Sequence, residues 1–273
     1  ASLVETGAFY RRRLLRVYPM FLATLTGFAC AGVVSVRQYI HSALLVSMLV
    51  GTPVDTLWFI TMIFLFYAIA PLYLRTRSLG KVVALTAALD GGLIVAHVLT
   101  GLVDLRLALY LPVFATGVLF ARSPALWRNA RGVPVGGLSV IALVVSAWIF
   151  AETRSGRPWA SPPLTCVDLA ISVPAMFASI PILMLAARVL MATVPARVVS
   201  AVSYSAFAMY LLHRFTFKAG VLLYRPTGLA ASLLYLYGLV LPVTWILSYA
   251  VQYLYDAALE RILASRSALL RRA

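Results

Sequence analysis

Residues 82–99 read VVALTAALDGGLIVAHVL. As one helix they cover about 27 Å, close to the hydrocarbon thickness of a bilayer. A soluble surface helix needs a polar stripe at every third or fourth position. Here Thr86, Asp90 and His97 interrupt a run that is apolar all round. The stretch reads as a membrane span, and its neighbours read alike. Runs at 17–36, 57–74, 106–121, 135–151, 167–191, 203–223 and 229–255 are of comparable length and character. The run 39–50 is too short to cross and reads as an interfacial or re-entrant piece. The predicted fold class is all-α, a polytopic transmembrane helix bundle of about eight spans. The runs do not alternate as the strands of a membrane barrel do. Pro112, Pro174, Pro181 and Pro242 fall inside spans and are expected to kink them.

The composition agrees. Hydrophobic residues are 63% of the 273 and charged residues 11%, against roughly 45–50% and roughly 25% in soluble domains. No soluble fold of this size has interior enough for that apolar share. A water-soluble enzyme, a disordered chain and a disulfide-stapled secreted domain are excluded. Cys30 and Cys166 form neither a metal-ligand pattern nor a framework.

The charges are lopsided, 23 Lys+Arg against 8 Asp+Glu. They lie between apolar runs, so membrane topology explains them better than a nucleic-acid partner, and none is expected. With residue 1 on the cytoplasmic side, sixteen basic residues, at 11–16, 75–81, 122–131, 188–197 and 261–272, fall inside. Arg37, Arg106, Arg154, Arg157 and Arg225 fall outside, and Arg214 and Lys218 lie within a span. The positive-inside rule then puts both ends of the chain in the cytoplasm. Two segments are distinguished: a membrane domain over 1–256 and a basic amphipathic tail over 257–273, attracted to anionic lipid.

Three places could carry chemistry. Arg12, Arg13 and Arg16 belong to the stretch FYRRRLLRVYP at 9–19. On a helix Arg12 and Arg13 both neighbour Arg16, and guanidinium forks match phosphate oxygens. Topology alone would also put arginines there. His213 and Arg214, in SYSAFAMYLLHR at 203–214, lie deep in a span, where ionisable groups face a polar cavity or a partner. Asp90 is the third. An unpaired carboxylate at that depth is costly, so it pairs or is protonated, and Arg214 is the expected partner.

Taken in order, RRRLLR-V-Y-P, LWFI…FY-I-PL, the YLPVFATG segment at 110–117 and SYSAFAMYLLHR resemble acyltransferase family 3, over about 9–255. The family comprises integral-membrane acyltransferases that commonly O-acetylate polysaccharides, lipid-linked sugars or glycosylated small products. The resemblance implies that Arg13 and Arg16 are the family's Arg-x-x-Arg pair, associated with acyl-CoA, with Arg12 beside them. It implies that His213 is the family's histidine of the Tyr-Leu-x-His segment, a cavity residue and the catalytic candidate of this chain. It implies acyl-CoA, acetyl-CoA first, as cosubstrate, with no metal and no tightly bound cofactor. The implied partners are membrane lipids and a carbohydrate or glycolipid acceptor, in a bacterial inner (plasma) membrane. Two departures stand out. Ile63 and Phe64 occupy positions where many members carry acids. The chain starts Ala1-Ser2-Leu3, and the resemblance implies two further spans upstream, the first bearing the family's catalytic histidine. A secondary transporter or flippase, or an inactive family member, remains the alternative.

Overall fold

The computed structural model describes residues 3–76, 78–122, 144, 172, 176, 186–187 and 189–270. The spans expected at 135–151 and 167–191, the loop between them with Cys166, and Pro174 and Pro181 lie largely or wholly outside the described residues. All regular structure among the described residues is helical. The helices are α1 (Leu3–Cys30), α2 (Val36–Ala43), α3 (Trp58–Arg75), α4 (Leu79–Thr100), α5 (Arg106–Arg122), α6 (Ala196–Leu223), α7 (Leu229–Tyr235) and α8 (Leu241–Leu270). Residues 1–10 and 32–190 form one compact unit; 11–31 and 191–273 form a second.

Among the described residues, three stretches are long and apolar enough to cross a membrane: Trp58–Arg75, Leu79–Thr100 and Leu229–Arg261. Basic side chains interrupt the apolar run in α1 (Arg11, Arg13, Arg16) and in α6 (Arg197, Arg214, Lys218), and α5 has only 17 residues. The molecule is an all-α integral membrane protein.

Within the first unit, Met62, Phe66 and Tyr73 of α3 pack with Val82 of α4 and with Leu107 and Leu111 of α5. Only Val82 and Thr86 of α4 are buried. Val83, Val95, Val98 and Leu99 are exposed, the pattern of a helix whose outer surface meets lipid. Gly101 closes α4 at φ +67°, its N–H donating to the His97 carbonyl at 2.7 Å. That left-handed cap needs glycine. Ser35 and Gln38 form a reciprocal capping box that starts α2. The 39–50 run is the end of this short helix followed by turns.

Within the second unit, α6 and α8 pack along their lengths. Two boundaries differ from the sequence reading. The expected 17–36 span is a helix that starts at Leu3 and stops at Cys30. Arginine and leucine favour helix, so the basic stretch winds into it, and Gly32 at φ +67° turns the chain out. The 229–255 run is interrupted by a π-helical turn at Leu236–Val240, where the Leu241 N–H reaches the Leu236 carbonyl. The cause is Pro242, which lacks an N–H and crowds the carbonyl four residues back. Beyond it α8 runs to Leu270 with no break at 256.

Candidate functional site

Arg11, Arg13 and Arg16 are exposed on α1, with Arg12 on the same helix. At 3.6 residues per turn, Arg16, Met20, Ala23 and Gly27 share one face. Beyond Arg16 that face lines an apolar slot of about 440 Å³ within the second unit. Met20, Ala23 and Gly27 line it from α1, Leu211 and Phe215 from α6, and Tyr255 from α8. Proline explains part of this arrangement. Pro19 has no N–H, so it leaves the Leu15 carbonyl without its helical donor. The Tyr255 hydroxyl donates to that carbonyl, which ties α8 to α1 one residue from Arg16.

On α6 the His213 Nδ1 lies 2.6 Å from the Tyr210 carbonyl oxygen. A carbonyl only accepts, so Nδ1 carries the proton, and Nε2 is the nitrogen able to take one. His213 is half-buried and sits opposite Leu211 and Phe215 on the helix, away from the slot face. The neighbouring Arg214 guanidinium lies 5.7 Å from the centroid of Phe28. Phe28 packs against Phe215 at 4.3 Å between ring centroids. These cation–π and ring contacts replace some of the hydration that an arginine loses at this depth.

Hydroxyls lock α6 to α8. Thr244 Oγ1 donates to Thr216 Oγ1 at 2.7 Å, and Thr216 in turn reaches the His213 carbonyl at 3.1 Å. Further along, the Tyr204 hydroxyl donates to the Asp256 carboxylate at 2.6 Å, and the Gln252 amide adds a second bond at 3.2 Å.

In the first unit Asp90 is half-buried on α4. Its Oδ1 has no hydrogen-bond partner among the described residues. One turn before it, Thr86 donates to the Val82 carbonyl and lies 3.1 Å from the hydroxyl of fully buried Tyr73. Asp104 and Arg106 pair through two guanidinium nitrogens, with bonds of 2.5–3.1 Å, and the Arg106 guanidinium lies 4.5 Å from the Trp58 centroid. His97 Nδ1 donates to the Val103 carbonyl at 2.6 Å, and His41 Nδ1 lies 2.9 Å from Thr52 Oγ1.

The structure therefore gathers Arg12, Arg13 and Arg16 on one helix, and His213 with Arg214 on a second helix of the same unit. Asp90 belongs to the first unit. The slot was missed in the sequence, although Ala23 and Gly27, small residues four apart, are a known signal of close helix approach.

A sequence model of acyltransferase family 3, described as an acyltransferase domain, matches residues 4–253. The chain belongs to acyltransferase family 3. No curated protein and no solved structure matches it. The family match runs from α1 into the first half of α8 and so spans both the arginine helix and the His213 helix. Membership in acyltransferase family 3 makes the chain a membrane acyltransferase in class.

Proposed function

We propose that this protein transfers an acyl group from cytoplasmic acyl-CoA to a hydroxyl of a carbohydrate, glycolipid or related acceptor. The observation that supports this most is the continuity of one α1 face, from Arg16 to the apolar slot. Arginine forks suit the phosphates of CoA, and the apolar face suits an acyl group. The acceptor oxygen attacks the thioester carbonyl carbon and a new C–O bond forms. The C–S bond breaks with its electron pair leaving on sulfur. The hydroxyl proton passes to a general base and then to the departing thiolate. Of this chain's histidines, His213 holds the family position, and its Nε2 is the nitrogen able to accept a proton. Arg214 and Asp90 belong to this reading as polar groups of the bundle interior. The protein sits in a bacterial inner membrane with both ends of this chain cytoplasmic.

The test uses the full-length gene product in detergent. CoA binding and acyl transfer from acetyl- and longer acyl-CoAs are measured with a panel of sugar acceptors. Binding at micromolar concentration with acceptor-dependent release of CoA supports the reading. Uptake or flipping of a polar substrate by protein that does not bind CoA would replace it with a carrier.

A further inference from the structure

The slot is far larger than an acetyl group requires. Its 440 Å³ equal about fifteen water molecules at liquid density. Its α1 lining runs from Pro19 to Gly27, a rise of about 12 Å. At Gly27 the Phe215 ring closes in, its Cζ 3.5 Å from where a Cβ would sit.

The walls ask for no hydrogen bonds. The Thr24 hydroxyl donates to the Met20 carbonyl at 2.9 Å, and the Tyr255 hydroxyl to Leu15. Both polar side chains of the lining are thus satisfied within the protein, and what they present to the slot is hydrocarbon. A sugar hydroxyl would go unpaired there. An acetyl methyl would leave most of the volume without contacts. Charge complementarity selects the occupant: the cationic turn of Arg13 and Arg16 comes just before the first lining residues, Pro19 and Met20, on the same helix, so the ligand is anionic at the head and alkyl in the tail.

We propose that the slot between α1, α6 and α8 takes the tail of a medium- or long-chain acyl-CoA, octanoyl or longer, and makes this protein selective for such donors over acetyl-CoA. This rests on the acyl-transfer reading above and replaces its expected acetyl group with a longer chain.

The experiment compares equilibrium binding of CoA, acetyl-CoA and octanoyl-CoA to the full-length protein in nanodiscs, with wild type, Ala23→Leu and Gly27→Leu. Wild type should bind octanoyl-CoA at least about tenfold more tightly than acetyl-CoA, a conservative gain for six added methylenes. The two leucine variants should lose most of that ratio. Thermal unfolding of each variant reports its fold, and the wild-type comparison stands without them. Equal affinity for the two acyl-CoAs overturns the chain-length assignment and leaves acyl transfer standing. An octanoyl advantage that survives both leucines in folded protein shows partition into surrounding lipid and also overturns it. Failure to bind CoA or either acyl-CoA defeats the acyl-transfer reading itself, and the slot assignment with it.

Discussion

Arg16 is placed by helical geometry on the same side of α1 as Met20, Ala23 and Gly27. Its value to an anionic donor lies in the planar fork as much as in the charge. Arg16→Ala is predicted to raise KM for acyl-CoA about tenfold or more, the loss of one or two charge-assisted hydrogen bonds. Arg16→Lys keeps the charge and should recover only part of that loss. Steady-state kinetics on folded, membrane-inserted variants checks both, and an unchanged KM in the alanine variant returns Arg16 to topology alone. His213 is held as the Nδ1–H tautomer by the Tyr210 carbonyl. If Nε2 takes the acceptor proton, His213→Ala lowers kcat by about 10²–10⁴-fold while leaving acyl-CoA binding intact. A loss in kcat under tenfold in folded protein makes His213 a packing residue.

Elements in this protein are shaped by their prolines. Pro19 frees a carbonyl that Tyr255 takes up, and Pro242 widens the helix into a π turn at Leu236–Val240. That turn is seated on Gly220. The Tyr235 hydroxyl donates to the Gly220 carbonyl at 2.9 Å, and a Cβ at residue 220 would lie 2.8 Å from Val240 Cγ2. Gly220→Ala is therefore predicted to destabilise the α6–α8 pair by about 1–3 kcal/mol through overpacking. Adding Val240→Ala should recover much of the loss, because the clashing methyl is then gone. Thermal unfolding in detergent of the single and double variants measures this, and equal destabilisation by both would show that the strain lies elsewhere.

The whole molecule is organised by where its cations are. Basic residues concentrated in alternate loops predict one orientation in the bilayer. In a background free of native cysteine, Arg128→Cys and Arg157→Cys should react with membrane-impermeant reagents from opposite sides, position 128 from the cytoplasm. Labelling of both from one side would reject the topology. The exposed apolar side chains of α4, α6 and α8, among them Leu99, Leu223 and Leu254, are what such an orientation presents to lipid.

Composition and run length sufficed for the class. A chain with this apolar share has no aqueous fold, and in lipid each backbone donor finds its acceptor inside its own helix. The motif order also carried the family, because RRRLLR, LWFI, YLPVFATG and SYSAFAMYLLHR are local stretches that keep their meaning without contacts. Helix ends were less legible: lipid-length reasoning started the first span at residue 17, whereas helix propensity carried α1 back to Leu3. The π turn was foreseen only as a kink at Pro242, since where a helix relaxes depends on what it packs against. The slot was decided by tertiary structure alone. Its walls come from residues near 23, 211 and 255, and no local pattern fixes how three distant helices meet. The orphaned Leu15 carbonyl could be read from Pro19, but only packing shows that Tyr255 is the donor that answers it.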